Sequence, residues 1–190
     1  MQHKIERYRS PEEVVGFLDF LTSALIEIAE ATRPEIPSLK SDVWGAGWGF
    51  NVCLPGYGGV LTADISCQIS EEMFREIELP FLKRLTDHSP SYLLHAHAAG
   101  KHQYSAYASL ENVRMLQLVD DPNAKPAIED LDDILPRVGL KPLLINASPG
   151  QIKQHLDTIR HGKIVLRTRT QTEKEAHELI KHRARNGRLT

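Results

Sequence analysis

Apolar and polar positions change period several times along this chain, and each change marks an element. Phe17, Leu18, Leu21, Leu25 and Ile28 recur at helical spacing, which predicts an amphipathic helix. Ser10-Pro11-Glu12-Glu13 supplies its start: a capping hydroxyl, a proline at the first helical position and a Glu placed to close a capping box. The pattern stops before Pro34, whose ring disturbs any continuation. Residues 34–59 then turn to Gly, Pro and Trp, with Trp44-Gly45-Ala46-Gly47-Trp48-Gly49-Phe50 ahead of Leu54-Pro55-Gly56-Tyr57-Gly58-Gly59. This is a long loop of the kind that commonly carries function.

After Gly59 the rhythm is regular. Short apolar runs at Val60–Asp64, Tyr92–His95, Val113–Val119, Leu143–Ile145 and Ile164–Leu166 read as buried strands. Helical patterns separate and follow them. One opens at Ser70-Glu71-Glu72 and runs through Phe74, Ile77, Leu82 and Leu85, with Pro80 as a kink. A weak helix covers Lys101 to Leu110, and an acidic helix runs from Ile128 to Val138, ending at Gly139. Ser148-Pro149 starts a helix through Ile152, Leu156 and Ile159, and Thr170 to Arg185 forms the last amphipathic helix. Strand-then-helix units in succession, five of them here, require crossover connections and hence a parallel sheet, so the fold class is α/β.

Composition narrows the function classes. The chain has 190 residues, 41% apolar and 25% charged, which is ordinary for one globular domain and excludes fibrous or disordered readings. A formal charge of −2 gives no overall pull toward nucleic acid or an anionic membrane. No apolar run approaches the roughly 20 residues needed to span a bilayer, and the residues from Met1 to Arg7 lack the apolar stretch of a secretory signal. Cys53 and Cys67 form neither a CxxC pair nor a disulfide framework, so a cytoplasmic setting is expected and each thiol reads as a small buried hydrophobe.

In parallel α/β folds ligands sit beyond the carboxyl ends of the strands, and that rule selects residues. Asp64 ends the first strand, His95 and His97 end the second, Gln117 lies in the third and Asp120 and Asp121 follow it, Asn146 ends the fourth, and Arg167 and Arg169 end the fifth. Residues two apart on an extended segment share a face, so both imidazoles of His95-Ala96-His97 can approach one ion or one anionic substrate. Three roles stay open for the pair: metal ligation, with Asp64, Cys67, His102 or Asp121 as the third ligand; substrate hydrogen bonding or proton transfer; and structural support. Asp64 is expected to orient a cation or a ring N–H. Arg167 and Arg169 can grip a carboxylate or phosphate, with Asn146 and Gln117 as further substrate contacts, or form salt bridges. Trp48, with Trp44 and Tyr57, can make an aromatic lid over a flat ligand or pack the loop onto the core.

Several segments carry a resemblance. Gly59-Val60-Leu61-Thr62-Ala63-Asp64-Ile65-Ser66, Ile69-Ser70-Glu71-Glu72-Met73-Phe74-Arg75-Glu76 and Leu79-Pro80 resemble a strand and following helix of the uroporphyrinogen decarboxylase superfamily. The His95-x-His97-x-x-Gly100 turn and the Thr170-Gln171-Thr172-Glu173-Lys174-Glu175-Ala176 helix are similar to its uncharacterised decarboxylase-like branch, over roughly residues 10 to 183. The resemblance implies a TIM-type barrel with its site at the carboxyl rim. The chain is then a single domain, 1–190, forming the carboxy-terminal part of a barrel of about five βα units with a preceding helix, completed by further strands, a homo-oligomer or a partner chain.

The implied activity is decarboxylation of an anionic, tetrapyrrole-like ligand, with His95, His97 and Asp64 in catalytic roles. Corrinoid-linked methyltransferases of the same superfamily hold zinc through a His-x-Cys pair and a later Cys, which makes zinc the implied cofactor of the rival reading. Here His97 stands at the first Cys position. A non-catalytic α/β binding module is the remaining alternative.

Overall fold

The computed structural model describes residues 10–32, 59–88 and 91–186. Trp48, with Trp44, Tyr57, Cys53 and the rest of the Gly/Trp-rich loop up to Gly58, lies outside the described residues. Helix α1 spans Pro11–Thr32. Strands β1 (Gly59–Thr62), β2 (Tyr92–His97), β3 (Val113–Val119), β4 (Leu143–Asn146) and β5 (Ile164–Arg167) pair in chain order, every pair parallel. Between them lie α2 (residues 71–86), α3 (Tyr104–Ser109), α4 (Leu131–Val138), α5 (Pro149–Gln154) and α6 (Leu156–Ile159), with α7 (Glu173–Asn186) after β5.

Consecutive parallel order has a consequence for the two faces of the sheet. Crossovers of this type are right-handed almost without exception, so they lay their helices on one face. Side-chain alternation then sends Leu94 and Ala96 of β2, Leu116 and Leu118 of β3, Leu143 and Ile145 of β4 and Ile164 of β5 under those helices. There they form one buried cluster with Phe74, Tyr104, Tyr107, Ile128, Leu131, Ile134, Ile152 and Ile159. The opposite face carries Leu93, Met115 and Leu144, all buried, and then, nearer the carboxyl ends, His95, His97, Gln117, Asn146 and Arg167. On β2, β4 and β5 that face therefore passes from apolar to polar toward the tip, and β3 places Gln117 level with His95.

The helices depart from their expected outlines in informative ways. Helix α2 is three joined pieces, an α turn Glu71–Met73, a π segment Phe74–Glu78 and an α segment Leu79–Thr86. Pro80 has no N–H to give the helix ladder, and the ladder widens just ahead of it, with the Leu79 N–H reaching the Phe74 carbonyl. That widening presents Glu78 to the loop after β1, where Ser66 Oγ donates to its Oε2 at 2.8 Å.

The helix starting at Ser148-Pro149 closes its capping box with Gln151, then breaks at His155, whose backbone leaves the helical region. Helix α1 does not bury its apolar stripe: Phe17, Leu25 and Ile28 are 60%, 53% and 59% exposed. It docks on α2 through polar groups instead, with Arg84 reaching Asp19 and Ser23 and His88 reaching Glu30. No helix among the described residues is long and apolar enough to cross a membrane.

Candidate functional site

The strand register decides which polar side chains meet. Thr62 pairs with His95 and His95 with Gln117, one layer below the tips, while His97 pairs with Val119 and Asn146 with Arg167 at the tips. Strand β1 ends at Thr62, two residues earlier than Asp64, but the Ala63 N–H still donates to the His95 carbonyl at 2.9 Å. Asp64 thus leaves the sheet beside His95 and His97.

Both imidazoles are held at their Nδ1 atoms. His95 Nδ1 lies 2.7 Å from Gln117 Oε1, and His97 Nδ1 lies 2.7 Å from Asp121 Oδ1. Both acceptors are oxygens, so each Nδ1–H donates and the neutral ring carries its lone pair on Nε2. The two Nε2 atoms point at one oxygen: Asp64 Oδ1 is 3.3 Å from that of His97 and 3.7 Å from that of His95. The rings stand edge to face, with centroids 5.2 Å apart at 87°.

The supports are themselves supported. Asp121 accepts from His97 through one oxygen and from the Ala99 N–H through the other, at 2.8 Å. Burial pushes the Asp121 carboxyl upward, but the hydrogen bonds from the Ala99 N–H and His97, together with the charge of His97 and His95 when they are protonated, hold the group below the ordinary carboxylate range. Tyr104, fully buried under β2, donates its hydroxyl to the His97 carbonyl at 3.1 Å. The loop after β1 is tied down by Gln103, whose Nε2 donates to the Ile69 carbonyl at 3.2 Å, and by His102, whose Nε2 lies 2.8 Å from the same oxygen.

These contacts sort the third-ligand candidates. His102 spends its Nε2 on a backbone carbonyl, and Asp121 faces Nδ1 of His97 as an outer partner. Cys67 donates its thiol to the Asp64 carbonyl oxygen at 2.9 Å, and burial, reinforced by the charges of Asp121 and Asp64, raises its pKa and keeps it protonated. Asp64 is the group that joins the pair: one ligand atom from each of Asp64, His95 and His97 lies within 4.8 Å of the others.

The remaining predicted residues fall into two groups. Gln117 is buried and engaged with His95, so the protein itself uses the carboxamide expected to meet substrate. Asn146 and Arg167 meet each other at the tips of β4 and β5, Arg167 Nε donating to Asn146 Oδ1 at 2.8 Å. Arg167 and Arg169 are exposed. Asp120 caps backbone, accepting from the Ala127 N–H at 2.9 Å. Tyr104, Ala99 and the Ser66–Glu78 pair were not among the predicted residues. Only the strand register and the π segment reveal them, although a Tyr seven residues past His97 in a helix following the strand is a signal of sorts. Comparison with known protein families, with curated proteins and with solved structures finds no match to this chain.

Proposed function

We propose that the chain is an enzyme, or the catalytic part of one, acting on a small or tetrapyrrole-like carboxylated ligand at the carboxyl rim of a β/α barrel. The reading that best agrees with the resemblance to the uroporphyrinogen decarboxylase superfamily is a decarboxylase-like lyase. One observation carries it: two imidazoles with fixed tautomers turn the same face toward one half-exposed carboxylate, at the end of a parallel sheet where such folds bind ligands. Consecutive strand order with β1 and β5 each paired on one side, among the described residues, supports an arc of a barrel whose remaining wall comes from other strands or a partner chain.

In this reading Arg167 and Asn146 hold a carboxylate that stays on the ligand. The scissile carboxylate leaves as CO2, its bonding electron pair remains on carbon, and an imidazole Nε2 that has first taken a proton from solvent passes it to that carbon. The ligand must supply its own electron sink. The test is a panel of mono-, di- and polycarboxylates, including carboxylated tetrapyrroles, scored for a rise in melting temperature and for CO2 release. The expected result is one class that does both, with the thermal shift lost in Arg167→Ala and CO2 release lost in His95→Ala. A panel that neither stabilises the protein nor releases CO2 overturns the proposal.

A further inference from the structure

The geometry points to a mononuclear divalent metal centre, of the zinc class, ligated by Asp64, His95 Nε2 and His97 Nε2. It concerns the same rim cluster as the enzymatic reading but does not depend on the reaction proposed there.

Four features of the cluster agree on this. A tetrahedral ion with bonds of about 2.0–2.1 Å holds its ligand atoms roughly 3.3 Å apart. The Asp64 Oδ1 distances of 3.3 Å to His97 and 3.7 Å to His95 are close to that edge length. Next, ligating imidazoles present one nitrogen to the ion while the other donates to a carboxylate or carbonyl, which fixes the ring. Gln117 and Asp121 are such acceptors, and Asp121 is pinned in turn by the Ala99 N–H.

Charge is the third feature. Asp64 and Asp121 bring two carboxylates to the imidazole pair, and a dication at the cluster would balance them. Lys101, in the segment after β2, is engaged with Asp130 and Asp133. Fourth, the Asp64 side chain is 54% exposed, so the three protein ligands leave an open side toward solvent. Catalytic zinc sites have this pattern, three ligands and one accessible position, whereas structural sites are closed by four.

The experiment titrates metal-stripped full chain with Zn2+ by calorimetry and with Co2+ by visible absorption, so the readout is binding rather than turnover. One equivalent per chain is expected, with Co2+ giving a four- or five-coordinate spectrum. Asp64→Asn, His95→Ala and His97→Ala should each weaken binding by more than ~100-fold, and Asp121→Asn and Gln117→Leu by ~10–100-fold, whereas Arg167→Ala leaves it unchanged. Asp64→Asn alters an exposed side chain and keeps the test valid if a histidine variant fails to fold. No saturable Zn2+ binding, or a His95→Ala/His97→Ala double variant that binds as tightly as the parent, overturns the inference. Stoichiometric zinc with no carboxylate bound or decarboxylated would leave the metal centre standing and remove the enzymatic reading. Decarboxylation without metal binding would do the reverse.

Discussion

The tips of β2 and β3 and the tips of β4 and β5 carry similar polar residues, yet the protein treats them differently. Around β2 and β3 the imidazoles are held from behind: Gln117 lies behind His95, Asp121 behind His97, the Ala99 N–H behind Asp121 and Tyr104 beneath the His97 carbonyl. At β4 and β5, Asn146 and Arg167 meet in one hydrogen bond on the open rim. Pre-organisation of this kind matters where geometry must be met within fractions of an ångström, as in proton transfer or metal ligation. A charged fork that grips a carboxylate tolerates more freedom, because long-range attraction and bidentate contact do the orienting. The rim therefore divides into a side whose polar groups are held from behind and a side whose polar groups meet at the exposed edge, matching the reacting and gripping roles of the proposed function.

The strongest way to break this division is to remove the floor of the side held from behind. Tyr104→Ala deletes a fully buried aromatic ring that packs near Tyr107 and carries the hydroxyl under β2. It is expected to cost about 3–5 kcal/mol, as large-to-small aromatic substitutions in cores do. Tyr104→Phe, which keeps the ring, is expected to cost only about 0.5–1.5 kcal/mol for the lost hydrogen bond. Urea unfolding of both variants checks this. Equal costs would mean that the hydroxyl, rather than the packing, supports the β2 tip.

A smaller effect tests the ionic clamp that joins the segment after β2 to the start of α4. Asp130 is buried and takes Lys101 Nζ on one oxygen and Lys125 Nζ on the other, at 2.5 and 3.1 Å. Burial raises the carboxyl, and the two lysine hydrogen bonds more than offset that, leaving its folded pKa below the ordinary value. A depressed carboxylate stabilises the fold fully above the unfolded pKa, near ~3.9, and loses that contribution as pH falls through the lower folded value. Asp130→Asn is expected to cost about 1–2 kcal/mol at neutral pH, because both lysines are partly exposed. Urea midpoints measured from pH 7 down to 2 should converge with those of the parent at the acid end. A constant gap would assign the loss to packing.

Much of this arrangement could be read from the residues. All five strands fall where short apolar runs sit between turn signals, because a strand covered by helices on one face and closed over on the other is apolar throughout its lower part. The His-x-His spacing placed both rings on one face for the same reason that any extended segment alternates. What stayed hidden depends on register and on ladder defects. That Gln117 lies level with His95 follows from β2–β3 pairing, and that Glu78 reaches Ser66 follows from a π segment; neither leaves a mark in local periodicity. Helix α1 shows the opposite difficulty. Its apolar spacing reads as a core-facing stripe, but Asp19, Ser23 and Glu30 on another face find Arg84 and His88 first.

The gripping side yields the smallest stability effect and the sharpest contrast. Arg167 is exposed, and its guanidinium meets Asn146 at the rim rather than in the core. Exposed polar contacts of this sort contribute little to folding, so Arg167→Ala should unfold within ~0.5 kcal/mol of the parent. If Arg167 anchors an anionic ligand, the same substitution should abolish the ligand-induced rise in melting temperature while the ligand-free melt is unchanged. Arg167→Lys should recover only part of that rise, since an ammonium keeps the charge but loses the two-pronged geometry. A ligand-free melt that drops by several degrees would show that β5 relies on this arginine as β2 relies on Tyr104, and the two halves of the rim would then be built alike.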